Sequence, residues 1–84
     1  MRNLTPPTAS KRPLKRSLTL NGHKTSVSLE EPFWRFFSNL AKEQNKTVNA
    51  LAVEVDVSRD SKVGLATSIR LFCLEAALNG RSKK

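Results

Sequence analysis

The hydrophobic and polar positions of the chain change period once. From Lys15 to Leu29 they alternate. Leu18, Leu20, Thr25, Val27 and Leu29 fall on one side, and Lys15, Ser17, Thr19, Lys24, Ser26 and Ser28 on the other. A period of two is that of a half-buried strand. Asn21-Gly22 interrupts the alternation midway. That dipeptide suits a two-residue turn in which both positions need positive φ. It predicts a hairpin in which Leu20 faces His23, Leu18 faces Thr25 and Arg16 faces Val27. The alternative is that Lys15–Gly22 is a loop leading to a strand at 24–29. A slip of one residue would mix the apolar and polar sets, so the register is well specified. A strand alone leaves backbone groups unpaired, so the second strand needs a partner.

From Glu30 onward the spacing is helical. Pro32 suits a first helical turn, and Glu30 and Glu31 suit its positive end. Phe33, Phe36, Phe37, Leu40 and Ala41 recur at three and four residues and predict a buried stripe. Trp34 lies off that stripe, where it either covers a partner chain or packs on the hairpin. Asn45 is expected to end the helix, because Asn tolerates the left-handed conformation. Thr47 is the expected N-cap of a second helix, "TVNALAVEV", with Val48, Leu51, Ala52 and Val55 on its apolar side. A polar break is expected over Asp56–Gly64. A third helix follows over Leu65–Leu78. Ile69, Phe72, Cys73 and Ala76 form one face of it, with Leu71, Leu74 and Leu78 beside them, and Gly80 is its expected stop. The fold class is α+β, mainly helical, and no internal repeat is visible.

Composition adds an asymmetry. The 84 residues carry a net charge of +8. Residues 1–24 hold six Lys and Arg and no acid, whereas the other sixty residues carry nine against seven. The expected organisation is a basic disordered arm over 1–14, a domain over 15–80 and a basic tail over 81–84. Such a front predicts an anionic partner, nucleic acid or a membrane surface, against the plainer reading of a solubilising tail. The opening residues lack the apolar run of a secretory signal, and Pro6, Pro7 and Pro13 argue against an amphipathic helix there. No apolar stretch is long enough to span a bilayer. Eighty-four residues bury a limited core, and oligomerisation is a common remedy.

Candidate chemistry is sparse. Cys73 is the single cysteine and is expected to be a reduced, buried thiol in a reducing cytoplasm. One Cys and one His cannot build a zinc site, so no metal and no cofactor is expected. His23, at the turn, has no nucleophile to serve, and three glycines form no phosphate loop. An enzyme is not expected. What remains is the polar side of the strand. A two-stranded ribbon can enter the major groove with its outward side chains at base edges. Polar alternation also marks an ordinary solvated sheet face.

The order of strand "KTSVSL", helix "EEPFWRFFSNLAKEQN", turn "NKT" and helix "TVNALAVEV" resembles the ribbon-helix-helix fold of the Arc and MetJ repressor group. The stretches "KRSLTLNGHKTSVSLEEPFW", "NALAVEVD" and "SIRLFCLE" look like a bacterial family within it, over about Lys15–Leu78. The resemblance implies an intertwined homodimer in which each chain gives one strand, paired antiparallel across a twofold axis. It implies a shared core that includes Thr25, Val27, Leu29, Phe33, Phe37, Leu51 and Val55. It places Lys24, Ser26 and Ser28 at base edges, and Thr47 and Val48, helped by Asn49, at a phosphate. Lys11, Arg12, Lys15 and Arg16 would add phosphate contacts. The implied role is sequence-specific binding of double-stranded DNA, as a transcriptional regulator or repressor in the bacterial cytoplasm at the nucleoid. The alternative is an interaction module that binds a protein partner as antitoxins do, through the arm or through Leu71, Leu74 and Leu78. The strand Lys15–Leu20 is extra to the minimal fold and would flank the central ribbon.

Overall fold

Alternating apolar residues around Asn-Gly fold into a hairpin. In the computed structural model, which describes residues 12–80, strand β1 (Leu14–Leu20) pairs antiparallel with β2 (His23–Leu29). Leu20 stands opposite His23, Leu18 opposite Thr25 and Arg16 opposite Val27, the register expected from the turn. Asn21 and Gly22 both have positive φ, 51° and 83°, as a turn matched to the twist of the strands requires. The loop alternative for Lys15–Gly22 is set aside by this pairing. The expected arm and tail lie outside the described residues except for 12–14 of the arm, and there Leu14 already belongs to β1.

Three helices lie under one face of the sheet. Helix α1 (Glu31–Glu43) starts with Pro32 in its first turn and ends before Asn45, whose φ is 59°. Helix α2 (Val48–Ser58) is capped by the Thr47 hydroxyl, which accepts from the Ala50 N–H at 3.0 Å. Helix α3 (Leu65–Gly80) completes the layer. α2 packs beneath β1, α3 beneath β2, and each helix touches the other two.

Two expected boundaries shift. The polar break begins at Arg59 rather than Asp56, because α2 continues through Ser58. The last polar residues of α2 bond along the helix, with Ser58 Oγ donating to the Glu54 carbonyl and Arg59 pairing with Asp56 at 2.8 Å. α3 runs past the expected Leu78 and includes Gly80, its last described residue.

Leu18, Leu20, Val27 and Leu29 of the hairpin meet Phe37, Ala41, Leu51, Ala52, Val55, Ile69 and Cys73 in one buried cluster. Phe72 meets Phe37 edge to face with ring centroids 6.0 Å apart. Of the residues expected in the dimer core, Val27, Leu29, Phe37, Leu51 and Val55 are buried within the single chain and Phe33 is half-buried. Thr25 is not buried within the single chain. It is exposed, because its side of the sheet borders an open cavity of about 310 Å³ lined by Leu20, His23, Asp56, Arg59 and Leu65. Trp34 packs on the hairpin, with the Arg16 guanidinium 5.3 Å from its ring centroid.

Candidate nucleic-acid interface

The sheet turns one face to the helices and the other to solvent. Lys15, Ser17, Thr19, Lys24, Ser26 and Ser28 form the outer face, and all six are exposed. They stand in opposed pairs: Lys15 with Ser28, Ser17 with Ser26, and Thr19 with Lys24. The face therefore carries two ammonium groups, four hydroxyls and no carboxylate. Hydroxyls donate and accept, and an ammonium donates only. Such a set matches the mixed donors and acceptors of base edges and the anionic oxygens beside them.

The start of α2 lies at the β1 edge. The Thr19 N–H donates to Asn49 Oδ1 at 3.0 Å, which ties the first turn of α2 to the strand. That turn contains no acidic residue. The N–H groups of Val48 and Asn49 have no carbonyl one turn back within α2, so they are free to meet an anion. Thr47 contributes its cap, and the Asn49 side chain is already occupied by Thr19.

The nearby carboxylates are neutralised beneath the sheet. Glu31 accepts from Arg16 at 2.7 Å and from Arg35 at 3.2 Å, and these guanidinium groups, Arg16 first, hold its carboxyl below the ordinary value. Glu30 accepts from Arg70 at 3.0 Å, which lowers its carboxyl likewise. Arg70 also donates to the Ser28 carbonyl at 3.1 Å and lies 5.9 Å from the centroid of the Phe33 ring.

The expected phosphate-contacting residues divide. Lys15 is on the outer face and Arg12 is exposed just before β1, while Lys11 lies outside the described residues. Arg16 is placed differently from Lys15. Its position opposite Val27 turns it toward the helices, where Glu31 and Trp34 hold it. Ser17 and Thr19 were not among the expected base readers, although the alternation of β1 places them beside Ser26 and Lys24. Arg70 had no signal in the sequence, since its contact to Ser28 spans 42 residues.

The ribbon-helix-helix domain family matches residues 13–77, which include the hairpin and nearly all of the three helices. The chain belongs to the ribbon-helix-helix domain family. Members of this family are typically DNA-binding and generally non-enzymatic, and they work as dimers. No curated protein and no solved structure matches the chain. Among the described residues of this ribbon-helix-helix domain, no helix is long and apolar enough to cross a membrane, and no cluster of His, Cys, Asp or Glu could hold a metal. Cys73 is buried, and desolvation pushes its thiol up to about 11.

Proposed function

We propose that this protein binds double-stranded DNA sequence-specifically as a homodimer, through the outer face of its sheet, and acts as a transcriptional regulator. The observation that carries the reading is an exposed ribbon face of two lysines and four hydroxyl residues, free of acid, in a ribbon-helix-helix domain. Lys24, Ser26 and Ser28 contact base edges in the major groove. The first-turn amides of α2, at Val48 and Asn49 behind the Thr47 cap, hold a phosphate. Lys15, Arg12 and Lys11 add contacts that do not depend on sequence. Each neutralised phosphate contributes about −0.9 to the slope of log affinity against log salt.

The test is selection from a pool of random duplexes with the full chain. An enriched, inverted-repeat sequence supports the reading. Equal recovery of all sequences refutes it. A second reading has its own observation: Leu71, Leu74 and Leu78 of α3 are 53%, 51% and 67% exposed. A protein partner docked on that face, as in an antitoxin-like module, predicts that Leu74→Asp abolishes capture of the partner and leaves duplex binding intact.

A further inference from the structure

We infer that β1 grips the walls of the groove in which β2 reads bases: Lys15, Ser17 and Thr19 bind DNA phosphates on either side of the central ribbon. The inference rests on the DNA-binding dimer proposed above, in which β2 pairs with β2 of a second copy. It deepens that reading by giving β1 a task of its own and by adding Ser17 and Thr19 to the interface.

β1 is paired with β2 along its whole length, from Leu14 opposite Leu29 to Leu20 opposite His23. Once β2 meets its twofold mate, the strand order across the dimer is β1-β2-β2-β1. Neighbouring strands lie about 4.8 Å apart, so the two copies of β1 stand about 14 Å from each other, three such spacings. The major groove is about 12 Å wide. The central pair therefore stands between the walls of the groove, and the outer pair falls on them. Those walls are the sugar-phosphate backbones.

The rest of the domain places its anion-binding groups on the same side. α2 packs beneath β1, and the Thr19 N–H bond to Asn49 Oδ1 holds the first turn of α2 at the outer edge of that strand. The Val48 and Asn49 amides, to which a phosphate is assigned above, thus lie beside β1 and away from the centre of the ribbon. Thr19, Ser17 and Lys15 continue from them along the strand at steps of about 6.8 Å. All three are exposed on the outer face. Hydroxyls and ammonium groups are ordinary donors to phosphate oxygens, and such contacts fix register and orientation without reading sequence. The strand that carries them is rigidly held, because Leu18 and Leu20 on its inner side belong to the buried cluster. β1 and β2 therefore present similar side chains for different tasks, and position across the sheet assigns them.

Two measurements on the full chain test the inference. In the first, duplex binding over a salt series and selection from random duplexes are carried out with the parent, Lys15→Ala, Ser17→Ala/Thr19→Ala and Ser26→Ala/Ser28→Ala, folding being checked by circular dichroism. Lys15→Ala removes one contact per copy. It should make the slope of log affinity against log salt shallower by about 1.8 and weaken all duplexes alike, roughly ten- to a hundred-fold at about 0.1 M salt. Ser17→Ala/Thr19→Ala should weaken all duplexes alike by a few-fold at the parent slope. Both β1 variants should enrich the parent's sequence, and Ser26→Ala/Ser28→Ala should enrich a different one. A changed sequence for either β1 variant, an unchanged slope for Lys15→Ala, or parent affinity for Ser17→Ala/Thr19→Ala overturns the inference and leaves the DNA reading standing. A parent that binds all duplexes equally refutes the sequence-specific reading and leaves the slope to decide this one, and a parent that binds no duplex removes both. In the second, single phosphates of the parent's preferred duplex are replaced by neutral methylphosphonates. The parent should be weakened at phosphates on both walls, and Lys15→Ala should lose that sensitivity at one phosphate in each half-site. A sensitivity pattern in Lys15→Ala identical to the parent's overturns the inference.

Discussion

Lys15 and Arg16 are neighbours in sequence, yet the hairpin sends them to opposite faces with opposite fates. Lys15 stands among hydroxyls in solvent, while Arg16 is held by Glu31 and the Trp34 ring under the sheet. The same division separates Ser28, whose side chain is free on the outer face, from Leu29, which is fully buried. One face is built to hold the domain together and the other is left uncommitted. Cationic charge alone therefore does not identify a binding residue in this chain. The period of the strand decides which charges are available.

The sharpest test of this contrast is stability. Leu29→Ala is expected to cost about 2–5 kcal/mol in urea denaturation, because it opens a cavity in the cluster. Ser26→Ala, on the same strand but on its outer face, is expected to stay within about 0.5 kcal/mol. Equal losses would mean that both faces are buried in the native assembly.

Binding should divide the two cations in the reverse sense. Lys24→Ala is expected to cost about 1–3 kcal/mol at the preferred duplex and to relax discrimination between sites. Arg16→Ala should leave the salt slope of binding unchanged and lower thermal stability instead. A smaller salt slope for Arg16→Ala would return that residue to the interface.

The turn that creates the two faces can be weakened directly. Gly22 has a φ of 83° with no atom within 4 Å of an added Cβ, so the penalty for Gly22→Ala is conformational rather than steric. It should destabilise the domain by about 1–2 kcal/mol, read by thermal melting. A loss of duplex binding beyond that of stability would show that hairpin geometry is needed at the groove.

The smallest effect is a pH dependence of the inner face. Glu30 and Glu31 have carboxyls lowered from the ordinary 4.5 by Arg70 and by Arg16 with Arg35. Below that value the unfolded chain binds more protons than the folded one, so stability rises with pH there. Their contribution is complete above about 4.5 and is lost as pH falls through the lowered folded values. Glu31→Gln should flatten the acid limb of a melting-temperature profile, and an unchanged limb would remove the pair from the account.

Much of this architecture is legible in the sequence. Asn21-Gly22 and the period of two specify the hairpin and its register, because both are local. The aromatic stripe of α1 and the Thr47 cap are local too. The end of α2 is not legible there, because Asp56 and Ser58 resemble loop residues, whereas in the helix Asp56 pairs with Arg59 and Ser58 bonds back to the Glu54 carbonyl. The exposure of Thr25 and the role of Arg70 depend on elements 30 or more residues away, and no periodicity reports them. Arg16 needed only consistent use of the register, which placed it opposite Val27 on the inward side.

The central claim is that duplex DNA meets the outer face of the hairpin. Amide chemical-shift mapping of the full chain on addition of a selected duplex tests it most directly. The account predicts the largest shifts at Ser17, Thr19, Lys24, Ser26 and Ser28 and at the Val48 and Asn49 amides, with Leu71, Leu74 and Leu78 unmoved. Shifts centred on α3, with the hairpin silent, would contradict it.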